Sequence, residues 1–161
     1  MLLFDRRTLL ILPFALAACG FTPVYAPGGK GAALQGQVIV QEPADPESYI
    51  LVQELETRLG RGGSRYGLGF DLALASEALG VTSTGDINRF NLVGRVNYAL
   101  SDLTTEEVIW TGTVNNFTGY SATGDTVQTL AAERDARARL MRMLADQITT
   151  QLFAQVTLPP S

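Results

Sequence analysis

The stretch "FNLVGRVNYALSDLTTEEVIWTGTV", residues 90–114, decides the fold. Phe90, Leu92, Gly94, Val96, Tyr98 and Leu100 alternate with Asn91, Val93, Arg95, Asn97 and Ala99. After a turn-rich break, "SDLTTEE" (101–107), Val108, Trp110, Gly112 and Val114 alternate with Ile109, Thr111, Thr113 and Asn115. A period of two puts successive side chains on opposite faces, so each run reads as a strand with one apolar and one mixed polar face. Two strands joined by a short turn pair antiparallel. Gly94 and Gly112 fall on the apolar face. A missing side chain there leaves room for another element, here a helix side chain such as Met141.

Upstream, Phe70, Leu72 and Leu74 alternate with Asp71, Ala73 and Ala75, followed by the turn-rich "TSTGDIN" (82–88). This adds a third strand to the same antiparallel meander. "QVIVQ" (37–41) is a short β-rich run and the expected first strand. Between them lies "PADPESYILVQELETRLG". Asp45 can cap a helix, Pro46 suits its first position, and Glu47 sits in its positive first turn. Ile50 or Leu51, Val52, Leu55 and Leu59 recur at helical spacing and Gly60 is a natural stop, which predicts a helix over about 46–59. "GRGGSRYGLG" (60–69) matches neither the dinucleotide nor the Walker glycine pattern, and it follows a helix instead of opening one. It reads as a helix-to-strand loop carrying Arg61 and Arg65 near Arg58.

The last element is "TVQTLAAERDARARLMRMLADQITTQLF" (126–153), with Asp125 as its cap. Val127, Leu130, Ala131, Arg134, Ala138, Met141, Ala145, Ile148 and Leu152 form its expected apolar stripe, with Arg134 the charged intruder. Glu133–Arg137 and Asp135–Arg139 are favourable pairs one turn apart, so the arginine-rich face reads as solvated. "VTLPPS" is expected to fray. The order is β-α-β-β-β-α. That is an α+β fold: a mostly antiparallel four-stranded sheet with two helices on one face.

The N-terminus reads separately. Arg6 and Arg7 precede an apolar run, Thr8 to Ala18, of eleven residues. A bilayer span needs roughly 20, whereas basic flank, short apolar core and small-residue end are the parts of a secretory signal. Leu16-Ala17-Ala18-Cys19 resembles a bacterial lipobox, in which the cysteine is acylated and becomes the mature N-terminus. Gly20, in place of Asp, resembles the sorting pattern that sends lipoproteins to the outer membrane. An ordinary signal peptide with an incidental cysteine, or a short buried N-terminal helix, is the alternative. A disulfide within the chain is excluded, since Cys19 has no second cysteine to pair with. The expected divisions are a signal peptide over 1–18, a Gly- and Pro-rich tether over 19–36, a domain over 37–156 and a tail over 157–161.

Composition narrows the chemistry. The chain has 12 basic and 16 acidic side chains; without residues 1–18 these become 10 and 15, a balance of −5. An acidic chain argues against a nucleic-acid partner and against a polybasic grip on lipid. No histidine is present. Ser-His and Cys-His nucleophilic pairs are therefore impossible, and zinc sites built on imidazole or thiolate are ruled out. Neither an enzyme nor a bound cofactor or metal is expected.

Taken together, "ACGFTPVY" after the signal, the β-α-β-β-β-α order and the closing helix "AAERDARARLMRMLADQITTQL" resemble the LptE family of LPS-assembly lipoproteins, in its alphaproteobacterial form. The resemblance runs from Cys19 to about Phe153. It implies a lipid-anchored protein on the periplasmic face of the outer membrane. It implies that the protein fills and helps assemble the β-barrel LptD and contacts lipopolysaccharide (LPS) in transit. The polar sheet face and two sheet edges suit the polar interior of such a barrel. The resemblance implies LPS contact through bases at the tip of the hairpin between the second and third strands and just before the last helix. Here "TSTGDINR" offers only Arg89, and "GYSATGDTVQTLAAER" has no base before Arg134. This departs from the family pattern; if LPS is bound, the expected phosphate contacts are Arg89 and Arg95, then Arg61 and Arg65. Two other readings stay open: an accessory lipoprotein of a periplasmic lipid-trafficking ABC transporter, and a small-ligand-binding or carboxylate-dependent protein.

Overall fold

The computed structural model describes residues 33–81, 87–122 and 125–158. The elements are β1 (Val38–Val40), α1 (Pro46–Leu59), β2 (Tyr66–Val81), β3 (Ile87–Asp102), β4 (Glu107–Ser121) and α2 (Thr126–Gln155). They form one four-stranded sheet in the order β1-β2-β3-β4. β1 runs parallel to β2, and the other two pairs are antiparallel. This is the α+β architecture that the alternation and helix spacing predict.

Local chemistry sets the start of α1. The Asp45 carboxylate accepts from the Ser48 backbone N–H at 2.6 Å, and Ser48 Oγ accepts from the Asp45 N–H at 2.9 Å. Reciprocal capping satisfies two backbone donors that the first turn leaves unpaired. Pro46 opens the helix and Glu47 sits in its first turn, as expected. At the far end the Gly60 N–H donates to Glu56 O at 2.9 Å.

The core lies between the helices and one face of the sheet. Leu51, Leu55 and Leu59 of α1 meet Leu140, Met141, Leu144, Ile148 and Leu152 of α2 over Leu68, Leu92, Val96 and Leu100 of the sheet; all are buried. Removing side chains of this size from water contributes about 1.5–3 kcal/mol each, so this layer dominates stability.

Several expectations are corrected. β2 begins at Tyr66, inside the stretch expected to be loop, because Tyr66–Leu68 pair with Val38–Val40. Gly63 makes that pairing possible: a Cβ there would lie 2.2 Å from the Val38 nitrogen, so only glycine lets β1 cross. The folded body also reaches into the span expected to be tether, since Leu34 is 1% exposed and belongs to the core. At the other end Val156 is buried and Leu158 packs against the core, so the tail is held there. Met141 does not fill the space over the two inward glycines. Leu140 and Leu144 lie over Gly94, and the Tyr98 ring lies over Gly112.

The apolar stripe of α2 is shifted. Its buried positions are Ala136, Leu140, Met141, Leu144, Ala145, Ile148, Thr149, Leu152 and Phe153. Val127 is 75% exposed, Leu130 is 46% exposed, and Ala131 and Arg134 are exposed as well. The first turns of this 30-residue helix therefore stand clear of the core, and Arg134 intrudes on nothing.

Candidate functional site

Among the described residues, one sheet face has no helix over it. Its cross-strand rows are Gly69–Ala99–Thr111, Asp71–Asn97–Thr113, Ala73–Arg95–Asn115 and Ala75–Val93–Phe117. β2 contributes small or acidic side chains, and β4 contributes threonine, asparagine and the exposed Phe117. Thr113 Oγ1 donates to Asn97 Oδ1 at 2.9 Å. With Gln41 on the β1 side, the first two of these rows floor a shallow depression of about 570 Å³. The surface offers hydrogen-bonding groups and one exposed ring, which is the chemistry of a docking face. Among the described residues no three metal-ligating side chains converge.

The four arginines singled out by sequence do not form one site. Arg61 donates to Glu56 Oε2 at 2.9 Å. The Arg65 guanidinium lies over the Tyr66 ring, 5.2 Å from its centre, with Nε 3.8 Å from Asp102 Oδ2. Asp102 in turn accepts from the Thr104 N–H at 2.8 Å. That backbone donor, and more weakly Arg65, hold its carboxyl below the usual carboxylate range. Arg61 and Arg65 are thus neutralised, and Arg65 helps close the β3–β4 turn.

Arg89 and Arg95 stand at the other end and on the open side of β3. Both are exposed, and neither has an ion-pair partner among the described residues. Six residues of strand separate them, roughly 20 Å, so one small ligand cannot span both. Arg89 lines an open cleft of about 510 Å³ with Tyr120, Ser121, Ala132, Asp135 and Arg139. Arg139 pairs with Asp135 and donates to the Gly119 carbonyl at 3.3 Å. Sequence reading found the Asp135–Arg139 pair but not its place beside Arg89, because the two arginines sit 50 residues apart in the chain. Cys19 lies outside the described residues.

The profile of the LptE family, described as lipopolysaccharide-assembly, matches residues 36–152, which takes in β1 through nearly all of α2. The chain belongs to the LptE family. An LptE-family protein has a role in lipopolysaccharide assembly, and the matched span coincides with the folded domain. Solved structures share the LptE-like fold. A candidate lipoprotein from Caulobacter crescentus CB15 superposes with a TM-score of 0.63 at 21% identity, covering 78% of this chain and 93% of that one. A minor lipoprotein from Acinetobacter baumannii gives 0.59 at 20% identity, covering 77% and 97%. Lipoprotein B from Nitrosomonas europaea gives 0.55 at 18%, covering 73% and 82%. No curated protein matches the chain.

Proposed function

We propose that this LptE-family chain is an outer-membrane lipoprotein, acylated on Cys19, that docks in the LptD β-barrel and assists both its assembly and LPS transport. The observation that carries the reading is the family match over residues 36–152, nearly all of the folded domain. The one-sided build supports it: helices close one sheet face, and a polar face remains to meet the polar interior of a large barrel. The domain acts as a plug and scaffold, and no step in this role needs a reactive side chain. For direct contact with LPS phosphates, Arg89 and Arg95 are exposed guanidinium groups without an ion-pair partner among the described residues, while Arg139, beside Arg89, is paired with Asp135. Arg61 and Arg65 are committed to carboxylates at the opposite end.

Depletion of the protein tests the reading. LPS should fail to reach the cell surface, and LptD should lose its assembled form. Depletion with both unchanged refutes it, and co-purification with an inner-membrane ABC complex would assign the accessory-transporter role instead. Mass spectrometry of the mature chain should show acyl groups on Cys19 and loss of residues 1–18.

A further inference from the structure

β1 is three residues long and pairs only with Tyr66–Leu68 of β2. The ladder goes one step further by a side-chain device. The Gln41 N–H donates to Leu68 O at 2.9 Å, and its side-chain Oε1 accepts from the Phe70 N–H at 3.2 Å. Beyond Phe70 no described residue continues it. By strand alternation, the N–H and C=O groups of Leu72, Leu74 and Ser76 point away from β3, toward the side where β1 stopped. None of them has a partner among the described residues. The β2–β3 register is unbroken to Ala78, so the free edge over residues 70–78 is straight and regular.

Edges of this length are ordinarily blunted by lysine, proline, a bulge or a cover. β2 contains no lysine, arginine or proline, and its bulge comes only after Ala78. Its charges are Asp71 and Glu77, both exposed on the open face. The link after β1, residues 41–45, adds Glu42 and Asp45 and no base. The charges along the edge are therefore acidic. A second copy is a poor occupant. The two-fold antiparallel pairing that uses residues 70–78 centres on Leu74 and sets Asp71 opposite Glu77 twice, which is destabilising.

We propose that the free edge of β2 accepts a basic, extended segment of a different protein as a fifth strand. Backbone groups of Leu72, Leu74 and Ser76 supply the ladder, and Asp71 and Glu77 select two bases spaced six residues apart on one face of the added strand. Apolar side chains on its other face extend the half-buried row of Leu72 and Leu74. The proposal stands independently of any role for LPS.

The test uses the full 161-residue chain in detergent and two nine-residue peptides, TKVTVTVKT and TEVTVTVET. Amide exchange is followed by NMR at Leu72, Leu74 and Ser76. The lysine peptide should slow their exchange by about tenfold or more, and the glutamate peptide should not. Ser76→Pro removes an outward donor without touching the β2–β3 ladder and should abolish the protection. Asp71→Lys combined with Glu77→Lys should reverse the preference between peptides. Equal protection by both peptides, protection by neither, or protection that survives Ser76→Pro overturns the proposal. So does an edge already protected without peptide, since the chain's own residues would then be its occupant.

Discussion

Arg137 of α2 donates to Glu47 Oε1 at 2.5 Å, and so ties the middle of the long helix to the first turn of the short one. The same guanidinium donates to Glu133 Oε1 at 2.6 Å. All three side chains are about a third exposed or less, so the contacts are better shielded than an ordinary surface pair. The arrangement fixes the angle at which α1 lies on α2 above Leu51 and Leu55. Arg137→Ala should lower unfolding free energy by about 1–2 kcal/mol. In a double-mutant cycle with Glu47→Ala, urea titration should show coupling of about 0.5–1 kcal/mol. Full additivity would show that the tie contributes nothing.

Gly112 and Tyr98 stand opposite each other across β3 and β4. A Cβ at Gly112 would come within 2.5 Å of the Tyr98 ring, which is buried and whose hydroxyl donates to Gln151 Oε1 at 2.6 Å. Gly112→Val must displace that ring from under α2 and should cost about 1–3 kcal/mol. Pairing it with Tyr98→Ala should give a smaller loss than the sum of the single effects, because the clash disappears. Urea midpoints of the four proteins decide this.

What sequence revealed and what it hid divide along chain distance. The ends of α1 were legible because Asp45, Pro46, Glu47 and Gly60 act within one turn of themselves. β3 was legible because its partners on both sides enforce strict alternation. The start of β2 was hidden: Gly67 and Gly69 interrupt the pattern, and strand geometry there comes from β1, nearly thirty residues away. Val127 and Leu130 carried a helical period that no surface meets, since composition does not say where a sheet ends. For the candidate site, Arg89 and Arg95 could be named, but not that Arg65 answers Asp102 across 37 residues.

Glu106 holds φ at +60° in the β3–β4 turn, where an L-residue is strained and glycine is not. Glu106→Gly should stabilise the protein by about 0.5–1 kcal/mol, the relief of strain being partly offset by a freer unfolded chain. Thermal unfolding should show a rise in Tm, while Glu107→Gly, one residue on and inside β4, should show a fall.

The pH dependence of stability follows from three groups. The Ser48 backbone N–H holds the Asp45 carboxyl below its ordinary value, and the Thr104 N–H does the same for Asp102. A carboxyl lowered in the folded state contributes stability that is present above its unfolded pKa, about 3.9. That contribution is lost as pH falls through the folded value, because the unfolded chain binds protons first. Stability should therefore drop below about pH 4, and Asp45→Asn and Asp102→Asn should each flatten the acid limb. Tyr98 works at the other end: burial pushes its phenol up. Below pH about 10 it is neutral in both states. Above that the unfolded chain releases its proton first, so stability falls with rising pH until the folded phenol also ionises. Urea midpoints between pH 9 and 11.5 should decline in the parent and decline less in Tyr98→Phe; parallel curves would mean that the buried phenol is not the group responsible.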